Sequence, residues 1–310
     1  MSATRTAPAP ATAPGTGAPD EPATTALRRA ARRRGTRRSL LFHVSSLALL
    51  VVILYPAVWM VMSTFKPSNQ IVGSVSPVPS TVTLDNYVTA LGGIGGVPFW
   101  TFVTNSLVLA VASVVGVLVS CSITAYAFAR ISFPGRQVFF AGMIATMLLP
   151  FHVVIIPQYI VFNELGLVNT YWPLLLGKFL AADAFFVFLM IQFMRGLPGE
   201  LDEAARIDGA GHPRIFVSIM LPLMQPALVT SAIFAFIWSW NDFFGPLLYL
   251  KSPRMFTMPI ALRAYVDQTS TSDYGAQMAM AVLALLPVML FFFAFQRHLV
   301  GGVATQGLKG

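Results

Sequence analysis

Charge is what this 310-residue chain has least of. Only 10% of its residues are Asp, Glu, Lys or Arg, against about 25% in soluble domains. A globule facing water on all sides needs more than that, so a soluble fold is excluded. Cysteine is nearly missing as well. Cys121 stands alone in an apolar run, which leaves neither a disulfide nor a cysteine-built metal centre. The four histidines (His43, His152, His212 and His298) fall one to a segment, in no spacing that suits a metal. No Ser/His/Asp set or carboxylate pair gathers where a soluble pocket would form. The run from Gly302 to Gly307 before Leu308-Lys309 lacks the G-K-[S/T] ending of a phosphate loop and follows no strand. Catalysis by this chain is not expected.

What is present is apolar length, 56% of the chain. Six segments reach the roughly 20 residues that a membrane crossing needs: 39–62, 101–129, 138–162, 171–194, 223–248 and 277–297. A bilayer offers backbone groups no water, so helices are the expected spanning element. The second segment is too long for a perpendicular crossing and should tilt or extend beyond the membrane. Within it Ala112, Gly116, Ser120 and Thr124 recur every fourth residue, a small-residue stripe suited to close helix packing. The first 38 residues are of another kind. They are rich in Ala, Pro, Thr and Gly and carry eight arginines against Asp20 and Glu21. Such a tail buries no core and should be disordered. Its arginines suit a cytoplasmic flank lying on lipid; no nucleic-acid role is expected. The domain reading is thus a 1–38 tail and a 39–310 membrane domain.

Lys and Arg fix the expected orientation. With the N-terminus inside, fifteen fall in the tail, the second and fourth connections and the C-terminus, against four in the outer connections. Both termini and the connection 195–222 should therefore be cytoplasmic.

That connection mixes both charge signs between very apolar neighbours. Pro198-Gly199 should stop one helix, and Glu200, Asp202 and Glu203 place negative charge in the first turn of another, where the macrodipole favours it. Ala204 and Ala205 form helix readily and leave room for a partner. Gly209 and Gly211 can take the positive φ of a sharp reversal. Pro213 suits the first turn of a second short helix, and Pro222 that of the next membrane helix. Glu203, Arg206 and Asp208 should face outward.

The stretch EAARIDGAGHPRIFVSIMLP (Glu203–Pro222) resembles the EAA loop of ABC importer permeases, the element that docks on the motor ATPase. AFARISFPGR (Ala127–Arg136), IPQYIVFNELGLVNTYWPLLL (Ile156–Leu176), WNDFFGPLLYL (Trp240–Leu250) and FQRHLVGGVATQGLKG (Phe295–Gly310) are similar to the carbohydrate-type branch. Together the likeness covers about 40–310 and is to the smaller, six-span permease of the maltose-type pair.

The resemblance implies an all-α, six-helix type I importer permease in the cytoplasmic (inner) membrane. Its partners would be a second permease, two ABC ATPase subunits and an extracytoplasmic solute-binding protein. ATP and magnesium would sit on the ATPase, with no cofactor in this chain. The residues it marks for ATPase coupling are Glu203, Ala204, Ala205, Asp208, Gly209, Ile219, Leu221 and Pro222. The solute would be a sugar or oligosaccharide; an amino acid, a peptide or glycerol phosphate are the alternatives within the class. An ion-coupled secondary transporter is the alternative outside it. That reading would need an inverted internal repeat, which is not seen, and would leave the EAA loop unexplained.

Polar residues inside spans are costly and often functional. Asp183 near the middle of the fourth segment is a candidate for the substrate path or for pairing with another helix. Lys178, five positions earlier, would lie roughly 140° away on a regular helix and could snorkel. Asn241 and Asp242, before Gly245-Pro246, read as a helix break lining a cavity. Trp238, Trp240 and Phe244 suit either sugar stacking or interfacial anchoring. His152, between Pro150 and Pro157, should relieve backbone groups freed by those prolines.

Overall fold

The computed structural model describes residues 21–71, 73, 75–268 and 273–304, and only the backbone at 21–38, 266–268 and 296–304. Its contacts divide the chain into two units, Met1–Val58 and Trp59–Gly310. Helix α1, Glu21–Ser63, supplies the first unit. Its apolar length, Ser39–Ser63, is long enough to span, and every side chain from 39 to 58 is exposed, as for a helix solvated by lipid. The disorder expected for 1–38 falls, for residues 1–20, outside the described residues; the backbone of 21–38 continues α1.

The second unit is built around α3, Phe99–Arg130. At about 1.5 Å per residue its 32 residues outrun the roughly 30 Å of bilayer hydrocarbon, as expected from its apolar length. Around it run α2 (Asp85–Gly92), α4 (Arg136–Met147), α5 (Phe151–Glu164), α6 (Trp172–Phe179), α7 (Ala184–Arg195), α8 (Glu200–Ile207), α9 (His212–Ile215), α10 (Leu221–Leu223), α11 (Gln225–Asn241), α12 (Phe244–Tyr249), α13 (Met258–Gln268) and α14 (Tyr274–Ala304). Among the described residues, four helical stretches are long and apolar enough to cross, and six if each of two bent pairs is one span.

Those bends correct the picture of six regular helices. α4 and α5 meet at 103° across Leu148–Pro150, because Pro150 lacks an N–H and keeps Leu149 out of the helical region. The fifth span bends by 76° at Met224, between Pro222 and Pro226. The membrane helix α11 therefore begins at Gln225 with Pro226 in its first turn, while Pro222 belongs to α10. The fourth span is broken too, between α6 and α7, at Leu180–Asp183 with Ala181 at φ 53°.

Two apolar clusters fill the unit. One joins Phe102, Phe236, Trp240, Met258 and Met280. The other joins Cys121, Phe186, Met190, Met194, Ile215 and Met220 at the end of the bundle that carries Arg130. The small-residue stripe packs as expected. A Cβ on Gly116 would lie 3.1–3.2 Å from Phe179 and Lys178, and the Ser120 hydroxyl donates to the Lys178 carbonyl at 2.6 Å.

The opposite end is lashed by side chains. Asn86 donates to the Thr64 and Lys66 carbonyls, both at 2.7 Å, and Ser68 donates to Asp273 at the start of α14. A Cβ on Gly275 would stand 2.2 Å from the Asn86 side chain, so α14 can approach α2 this closely only with glycine there. Burial, reinforced by Asp273, pushes the Tyr265 phenol up to about 12. Asn169, at φ 62°, accepts the Lys251 and Ser252 N–H groups at 2.9 Å each.

Candidate functional site

The segment 195–222 folds as two short helices and a turn. α7 ends at Arg195, before Pro198, and α8 carries Glu200, Asp202 and Glu203 in its first turn. Gly209 takes φ 78° with open space around it. It supplies the reversal alone, because Gly211 is extended at φ −76°, contrary to expectation. Pro213 sits in the first turn of α9. The chain then continues through a π-helical turn, Phe216–Met220, into α10.

Helical spacing sorts α8 into two faces. Asp202 and Ala205 are buried, while Glu203, Ala204, Arg206, Ile207 and Asp208 are exposed. The two alanines therefore differ: Ala205 packs in this chain's own core and Ala204 faces out. Ile219 and Leu221 are half-buried and Pro222 is exposed. Ile207 is 87% exposed, Val217 60% and Leu201 38%. Ile207 is the most exposed of the three and lies among charged side chains of α8. Sequence reasoning passed over Ile207; three charged neighbours and the helical period of α8 were the signal.

What holds the element is a contact between residues far apart in sequence. Arg130, at the end of α3, donates to the carbonyls of Met194 at 2.8 Å and Leu197 at 2.9 Å. Its Nε lies 3.1 Å from Asp202 Oδ2, an ionic contact without hydrogen-bond alignment. One guanidinium thus ties the ends of α3 and α7 to α8. Beside it the Tyr126 hydroxyl meets His212 Nδ1 at 3.1 Å, and its ring lies 5.2 Å from Phe216.

The substrate-path candidates separate. Lys178 and Asp183 form an ion pair at 2.7 Å. The 140° estimate fails because the helix is broken between them, so Lys178 does not snorkel and Asp183 is partnered within its own span. Asn241 ends α11 and Asp242 caps the break, accepting from Gly245 N–H at 3.1 Å. Both line a cavity of about 360 Å³ with Ser113, Lys178 and Trp238. The break lies at Asp242–Phe243, and Gly245-Pro246 belong to α12. Trp240 is not among the lining residues. It is 3% exposed and stacks on Phe236 in the core, and its neighbour Trp238, 46% exposed, takes the cavity. His152 meets the Phe244 ring edge-on at 5.4 Å instead of bonding the backbone groups expected.

A multi-pass helical bundle with a broken-helix cavity and an outward-facing helix–turn–helix defines a membrane transport subunit. The chain belongs to the family described as binding-protein-dependent transport system inner membrane component, which it matches over residues 112–305, and is a multi-pass inner-membrane protein. It is 35% identical over 262 residues to an arabinooligosaccharides transport system permease protein, AraQ, of Halalkalibacterium halodurans, covering 84% of this chain and 92% of that one. It is 34% identical over 271 residues to the sn-glycerol-3-phosphate transport system permease protein UgpE of Rhizobium meliloti, covering 86% and 95%. The fold matches, with TM-score 0.73 and 24% identity over 87% of this chain and 97% of the other, a bacterial ABC transporter involved in the import of the acidic polysaccharide alginate.

Proposed function

We propose that the chain is one of two permease subunits of an ATP-driven importer for a sugar or oligosaccharide. The observation that carries the ATP-driven part is the α8 surface. A short helix held rigidly by Arg130, with Glu203, Ala204 and Ile207 turned outward, suits a partner that approaches closely and supplies a cation. That partner is an ABC ATPase, which holds the ATP and magnesium; the chain hydrolyses nothing itself. The lysine and arginine distribution supports a cytoplasmic position for α8 and both termini, where an ATPase can reach them. A second permease and an outer solute-binding protein complete the assembly. The saccharide assignment rests on the likeness to AraQ, an arabinooligosaccharides transport system permease protein, and on the company of Trp238 with Ser113, Lys178, Asn241 and Asp242 around the cavity.

Motor closure would push on α8 and α9. The π-helical turn and α10 carry that displacement to α11, since the Met224 N–H bonds the Met220 carbonyl at 2.8 Å and the Leu228 N–H the Met224 carbonyl at 2.9 Å across the bend. The bundle would then alternate between inward- and outward-open states. Gly209→Val tests this. A β-branched residue at φ 78° is strained, so ATP hydrolysis by the reconstituted complex should persist while uptake falls. Normal uptake by that variant would remove Gly209 from the coupling path.

A further inference from the structure

The ion pair at the fourth-span break belongs to neither the coupling element nor the apolar core. Lys178 lines the cavity, and Asp183, which is not among the lining residues, holds its ammonium at 2.7 Å. The lysine's backbone is fixed as well. Its carbonyl accepts from Ser120, and α3 approaches it closely at Gly116, where a Cβ would sit 3.2 Å from Lys178. The same cavity is lined by Asn241 and Asp242, at the end of the other broken span, and by Trp238.

We propose that Lys178 is a specificity-determining residue of the transport path, donating to a hydroxyl of an uncharged saccharide that stacks on Trp238 and donates in turn to Asp242. This rests on the importer reading and names the solute class at its cavity. The lining decides between ligand classes. A cation meets Lys178, an anion meets Asp242, and an apolar solute would strip water from both charges and offer no hydrogen bond in return. A sugar hydroxyl both donates and accepts, so it satisfies both charges at once. Pre-ordering of the lysine by Asp183 and Ser120 lowers the cost of binding. The pocket volume is at the small end of the range for ligand sites.

The test uses the purified transporter complex in lipid nanodiscs and saturation-transfer NMR, with arabinotriose and maltose as neutral probes and sn-glycerol 3-phosphate as the anion. The parent should bind a neutral probe and reject the anion. Lys178→Met should weaken that binding by about tenfold or more, the range for one charge-assisted hydrogen bond. The exchange Lys178→Asp with Asp183→Lys separates recognition from bracing. It should keep the melting temperature of the parent and still fail to bind. Binding of neither neutral probe, unchanged binding by Lys178→Met, or full recovery in the exchanged pair would each overturn the proposal. Retention of the ATPase by the same preparations is read in parallel; it reports on the importer reading and is independent of Lys178.

Discussion

Two ion pairs set the two halves of this bundle apart. Arg130 and Asp202 have side chains 12% and 8% exposed, whereas Lys178 and Asp183 are 27% and 32% exposed. The first joins three helices and is sealed by the apolar cluster around Met194. The second closes a break within one span and fronts a cavity. The same chemistry serves different ends: a buried pair fixes where α8 stands, and a half-open one presents a charge.

Breaking the buried pair should have the largest effect. Asp202→Asn leaves the Arg130 guanidinium buried without its counter-charge, which costs about 3–5 kcal/mol. A clear fall in melting temperature and loss of ATPase co-purification are expected, measured by thermal unfolding in nanodiscs and by pull-down. Gly209→Val should come next. Left-handed backbone costs a non-glycine residue about 1–2 kcal/mol, and asynchrony of hydrolysis and uptake is its signature; Gly209→Asn, which tolerates that region, should keep uptake near the parent level. Ile207→Ser removes apolar surface that is 87% exposed in this chain. Its melting temperature should stay unchanged while ATPase affinity drops about tenfold, the scale of one interface anchor. Ser120→Ala is the mildest. It gives up one hydrogen bond worth about 1 kcal/mol and loosens the backbone under Lys178, so saccharide binding should weaken a fewfold with ATPase affinity unchanged.

How much of this was legible beforehand follows a physical line. Local signals read well: long apolar runs marked the spans, acidic residues marked the first turn of α8, and Gly209 marked the reversal. The bends at Pro150 and Met224 also had a local cause in proline, although their angles depend on packing. The break at Leu180–Asp183 has none. No proline stands there, and what holds the chain open is tertiary: Gly116 and Ser120 of α3 and the ion pair itself. The same holds for Asp202. It read as one of three acidic residues favouring a helix N-terminus, and only folding shows that it faces Arg130. Trp238 and Trp240 are two positions apart, on different sides of α11, and composition could not say which met the cavity.

The central claim is that α8 is the surface gripped by the motor. A photo-reactive phenylalanine analogue at position 207, irradiated in whole cells, tests it most directly. The account predicts a cross-link to a nucleotide-hydrolysing subunit, lost when Glu203 is replaced by Lys. A cross-link from position 207 to an extracytoplasmic protein, or none to any ATPase, would contradict it.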